Sequence, residues 1–119
     1  MIEQLAERAN DDALLVHRGR FLDTTFLLGV GDQDWLVRIV DGRVVKIDQG
    51  PFVMPRYTFA LRASAADWDA FWSAAPRPGF HDLFALIRFR RLAVEGDMHD
   101  FMANLFYFKA LLAKLRRTA

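Results

Sequence analysis

The chain has 119 residues, 16 basic and 15 acidic side chains, a net charge of +1 and no cysteine. It is long enough for one domain, residues 1–119, and too short for two. The charge balance argues against nucleic acid as a partner, which needs a concentrated basic face, and the missing thiols exclude disulfides and thiolate chemistry and suit a cytoplasmic location.

The hydrophobic share is 53%, with eleven phenylalanines and three tryptophans, above the about 45–50% of ordinary domains. The N-terminus has no basic region followed by an apolar run, so no signal peptide is expected. No stretch approaches the ~20 apolar residues of a membrane span. The ending Arg116-Arg117-Thr118-Ala119 matches no sorting signal.

In chain order, Ile2, Leu5, Ala6 and Ala9 have helical spacing, and Asn10-Asp11-Asp12 ends that helix. Ala13 to His17 suits either a continued helix or the start of a strand. Thr24–Val30 is β-branched and apolar and predicts a strand, closed by Gly31-Asp32. Trp35–Val40 and Arg43–Asp48 flank Asp41-Gly42, a strong hairpin signal because both turn positions tolerate positive φ. Strict alternation in the second run puts Val44 and Lys46 on one face, Val45 and Ile47 on the other. The apolar segment Gly50–Arg56 is broken by Pro51 and Pro55, which makes it a poor regular strand. It reads as a buried crossing loop or as a lip that meets a membrane surface. Tyr57–Arg62 is a fourth strand, with Tyr57, Phe59 and Leu61 on one face.

Helices follow. Ser64 caps one, with Asp67 three residues on, and Trp68, Phe71 and Trp72 form its apolar stripe. Pro76-Arg77-Pro78-Gly79 ends it. Asp82–Arg90 is a second helix, with Leu83, Phe84, Ile87 and Arg91 on one side. Leu92–Gly96 is a fifth short strand, and Asp97 caps a long last helix running to about Arg117, whose terminal cations complement the helix dipole. Segregated strands and helices predict an α+β fold: a mostly antiparallel five-stranded sheet covered on one face by helices.

The last helix has a wider apolar arc than one sheet contact needs: Phe101, Leu105, Phe108, Leu112 and Leu115, with Met102 and Phe106 beside them. A helix wedged between sheet and helices accounts for such an arc. So does an apolar cavity lined by Trp68, Phe71, Trp72, Phe84, Ile87, Met102, Leu105 and Phe106, since thioethers and flat rings adapt to apolar guests.

Three stretches, Trp35–Val44, Tyr57–Trp68 and Leu92–Met98, make the chain resemble the sterol carrier protein family, type two, over roughly Phe21 to Leu115. The resemblance implies a curved sheet of about five strands with helices on one face, enclosing an apolar cavity. It implies non-covalent binding of sterols, fatty acids, acyl-coenzyme A esters or similar molecules. The family's usual glycine-lysine step before the final strand is replaced here by Arg88-Phe89-Arg90-Arg91, and its small-residue turn by Pro76-Arg77-Pro78-Gly79.

Acid-base chemistry has candidates in His81-Asp82 and in Asp97 and His99. Both groups sit where helices begin, so capping explains the aspartates equally. The histidine spacing fits no zinc pattern, no nucleophile motif is present, and neither a metal nor a cofactor is implied. Arg88, Arg90 and Arg91 could receive a carboxylate or phosphate head group, or form a solvated face. The expected function is therefore non-catalytic binding, transfer or presentation of a sterol, fatty acyl or isoprenoid ligand, with room for a transient membrane-surface contact. The alternatives are a small enzyme using Asp or His in the same cavity, and a protein-interaction scaffold. The oligomeric state is left open.

Overall fold

The computed structural model describes residues 2–117; Met1, Thr118 and Ala119 lie outside the described residues. Two short helices open the chain, α1 (Gln4–Asn10) and α2 (Ala13–Arg18). The ambiguous stretch after Asp12 is thus helical, because Asp12 accepts from the backbone N–H of Leu14 and Leu15 and starts a new helix. Four strands follow: β1 (Asp23–Val30), β2 (Gln33–Val40), β3 (Arg43–Gln49) and β4 (Phe59–Ala63). Then come α3 (Ala65–Phe71), α4 (Leu83–Arg88), β5 (Ala93–Gly96), α5 (His99–Ala103) and α6 (Leu105–Ala113).

The sheet order is β3-β2-β1-β4-β5. Three pairings are antiparallel and β1–β4 is parallel. At the β2–β3 hairpin, Asp41 and Gly42 both have positive φ, 53° and 81°, as an Asp-Gly turn of this type demands. The predicted alternation along β3 fails at a bulge: Arg38 faces Lys46 while Ile39 faces Val44. Val45 is the extra residue and is exposed, so Val44 and Ile47 both pack on the core. Asn10 holds the edge beside it, donating to the Val44 carbonyl and accepting from the Val44 N–H, each at 2.9 Å.

Phe26, Leu28, Trp35, Val37, Ile39, Phe59 and Leu61 face the helices. Over them lie Phe101 and Phe108. Phe26 and Phe59 stack at 5.4 Å, and Phe108 meets both edge-on at 5.6 and 5.2 Å. On the other face Arg62 links β2 and β5, reaching Asp34 at 3.1 Å and Glu95 at 2.7 Å. It passes over Gly29, where a Cβ would lie 2.9 Å from the Arg62 Cγ.

Four features differ from expectation. Tyr57 is exposed and outside β4. In α4 the buried pair is Leu83 and Leu86, so Phe84 lies on the outer side. The long last helix is two helices broken at Asn104, whose φ/ψ is −124°/36°. Its side-chain amide donates to the Asp100 carbonyl at 3.0 Å, the local competition that makes asparagine a poor helix interior residue. The helix stops at Ala113 rather than near Arg117 because the chain turns toward α3. The Arg117 N–H donates to the Trp72 carbonyl at 2.8 Å and the Arg116 guanidinium to that of Phe71 at 3.0 Å.

Candidate functional site

The residues predicted to line one cavity fall into two groups. Ser64 caps α3 by accepting from the Asp67 N–H at 3.0 Å, which sets the helix so that Trp68, Phe71 and Trp72 face inward. All three are buried. The two indoles stack at 5.0 Å and 16°. Trp68 Nε1 donates to the Gly29 carbonyl at 2.9 Å and Trp72 Nε1 to the Leu112 carbonyl at 3.0 Å. The Arg116 guanidinium sits 4.9 Å from the Phe71 ring centre. This trio is part of the packed interior.

The second group lies on α4, α5 and α6. Phe84 is 38% exposed, Met102 59% and Phe106 68%. Ile87 and Leu105 are half-buried against the core. Phe84 and Phe106 meet edge-to-face at 6.5 Å. Lys109 Nζ lies 5.0 Å from the first ring and 6.0 Å from the second and pairs with Asp82 at 2.6 Å. An open cleft of about 450 Å³ runs between Arg18 and residues 103–107, with Leu105, Phe106 and Tyr107 on its wall. A second, about 310 Å³, has Phe84, Asp82 and Arg88 on its rim. Phe84, Leu105 and Phe106 are thus brought together at this surface, with Ile87 on α4 and Met102 on α5, and the α3 trio is not.

Sequence reasoning missed two residues here and one buried hydroxyl elsewhere in the core. Arg18 reaches the first cleft from the far end of α2, and no local pattern signals that. Tyr107 is buried, its hydroxyl donating to the Gly42 carbonyl at 2.8 Å. Burial pushes this phenol up to about 12, since desolvation disfavours its anion. Thr24 Oγ1, on the core face of β1, is buried without a hydrogen-bond partner. Of the acid-base candidates, Asp82 caps α4, whereas the cap position of α5 is Met98 and not Asp97 as expected. Asp82 accepts from the Phe84 N–H at 2.8 Å and Asp97 from the His99 N–H at 3.1 Å; His81 and His99 are exposed. Arg91 pairs with Asp67 at 3.2 Å, and Arg88 and Arg90 are exposed. Among the described residues no group of three or more His, Asp or Glu is placed to hold a metal ion, and no helix is long and apolar enough to cross a membrane.

A crystal structure of sterol carrier protein 2 superposes with a TM-score of 0.77 over 98% of this chain and 94% of its own, at 12% identity. This chain has the sterol carrier protein 2 fold. Sterol carrier protein 2 like 2 from Aedes aegypti matches with a TM-score of 0.57 at 21% identity, over 87% of this chain and 88% of its own. The UbiJ-SCP2 ubiquinone synthesis protein matches at 0.60 and 18% identity, over 95% of this chain and 85% of its own. No protein-family model and no curated protein matches the sequence. The sterol carrier protein 2 fold is therefore present here at a sequence identity of 12 to 21% to these structures.

Proposed function

We propose that this chain binds a hydrophobic small molecule of sterol, fatty acyl or isoprenoid type without chemical change, and transfers or presents it. The observation that carries the reading is the joining of the sterol carrier protein 2 fold to an apolar surface at Phe84, Met102, Leu105 and Phe106. Trp68, Phe71 and Trp72 fill the interior under α3, so the proposed seat is the cleft beside Leu105 and Phe106. Its volume, about 450 Å³, falls within the ~300–1,000 Å³ typical of small-molecule sites. Binding would come from removing apolar surface from water, about 25 cal/mol per Å² before association costs. The names of the matched structures, a sterol carrier protein and a ubiquinone synthesis protein, support sterols and polyprenyl quinones in a test panel, and fatty acids complete it. A chain without cysteine suits a reducing compartment such as the cytoplasm.

Gentle native mass spectrometry of the purified protein, followed by solvent extraction, tests this. A reproducible one-to-one lipid adduct is expected. A bare mass together with no uptake from the panel would sink the proposal.

A further inference from the structure

β3 and β4 run parallel to each other, on opposite sides of the β2–β1 pair. The nine residues Gly50–Thr58 therefore cross over β2 and β1, a connection usually given to a helix. None of their side chains joins the core cluster under the helices. Leu27 and Ala60, which point to the opposite face with Arg62, are nonetheless buried outside that cluster. The crossover thus covers the sheet face away from the helices. Phe52 and Pro55 are half-buried and hold it down, while the tip between them projects. Val53 is 94% exposed and Met54 90%.

We propose that the Val53–Met54 tip is a reversible membrane anchor that inserts into the surface of a bilayer containing anionic phospholipid. Four observations point to that occupant. Met54 has a φ of 51°, a left-handed conformation that favours glycine or asparagine; a methionine kept there with its thioether in water is an outlier in search of a role. Pro51 and Pro55 flank the tip and bring no backbone N–H that would be desolvated at an interface. Arg56 is the one charged residue between Gly50 and Thr58. The carboxylates on the neighbouring strands are engaged by other cations: Asp23 by Arg38 and Asp48 by Lys46, while Asp34 and Glu95 share Arg62. Arg56 is left to meet a lipid phosphate. Finally, a stable protein interface takes about 800 Å² from each partner, more than two side chains on a narrow loop supply. The anchor lies on the face opposite Phe84 and Phe106, so docking leaves those residues toward water.

The absence of cysteine makes the test direct. Met54→Cys, labelled with an environment-sensitive fluorophore, is mixed with vesicles of phosphatidylcholine alone or with phosphatidylglycerol added. A blue shift with the anionic vesicles is expected, with quenching by brominated acyl chains. Val53→Ser/Met54→Gly should lower vesicle affinity at least tenfold while leaving the thermal melt unchanged or higher, because glycine suits a φ of 51°. Arg56→Gln should abolish the preference for phosphatidylglycerol. A label that stays in water with both vesicle types overturns the proposal, as does undiminished binding by the double variant. A shift that appears on raising protein concentration without lipid also overturns it, by assigning the tip to a second copy.

Discussion

Trp68 on α3 and Trp72 at its C-terminal cap are sealed, while Phe84 on α4 and Phe106 on α6 lie open. Polar anchors account for the difference. Each indole N–H needs an acceptor when buried, and each has one, on β1 and on α6. Those two bonds tie α3 to the sheet and to the last helix. A phenylalanine has no such handle. α4 is six residues long and is held to α6 through Lys109 and Asp82. The break at Asn104 begins α6 afresh, with Tyr107 and Phe108 inward and Phe106 outward. Aromatic content says how much apolar surface a chain must place; the hydrogen bonds around it decide which part is covered.

The largest expected effect tests the sealed side. Trp68→Ala should cost about 3–5 kcal/mol, as for other large core aromatics, read as a lowered midpoint in urea at unchanged slope. Trp72→Phe keeps a ring but strips the Leu112 carbonyl of its indole donor, and should cost about 1–3 kcal/mol. If both variants melt like the parent, α3 is not the closed wall described here.

Tyr107 sharpens the contrast within one helix, since it neighbours Phe106 and is buried. Its phenol ionises near 10 in the unfolded chain and is raised to about 12 in the fold. Below pH 10 both states hold the proton, and the stabilisation from burying the neutral phenol is complete. Between 10 and about 12 the unfolded chain loses the proton first, so stability falls as pH rises, on the order of 1 kcal/mol per pH unit. Urea titrations at several alkaline pH values should show this fall in the parent and a smaller one in Tyr107→Phe. Equal slopes would mean that Tyr107 does not titrate as a buried group.

Much of this was legible in the sequence. The Asp41-Gly42 hairpin, the four-strand run, the Ser64 cap and the α+β class all rest on local chemistry: turn residues, alternation and capping. The misses have different causes, some local and some distant in sequence. Val44 and Ile47 share a face because a bulge intervenes, and the period-two pattern cannot register one extra residue. The last helix reads as continuous because one asparagine is tolerable by propensity alone; its side-chain bond to Asp100 breaks the run. In the candidate site, the widths of the apolar arcs were readable from spacing. Arg18 entered the cleft only once α2 was placed beside α6, and the separation of α3 from α4 depended on acceptors supplied by residues 39 and 40 positions away.

The smallest stability effect carries the functional weight of the comparison. Phe106 is 68% exposed, so Phe106→Ala should change stability by under about 0.5 kcal/mol, the range of ordinary surface substitutions. Its ring meets Phe84 edge-on at 6.5 Å, and the part of the effect that comes from this contact should vanish in a Phe84→Ala background. If the proposed seat is correct, the same variant should weaken uptake of an apolar ligand about tenfold or more, because a ring against a guest loses on the order of 1.5–3 kcal/mol of burial. Denaturation and ligand titration on one preparation separate the two readings. Unchanged stability with weakened binding makes Phe106 part of the site. A large loss of stability makes it core, and the distinction between the sealed and the open aromatics fails at that residue.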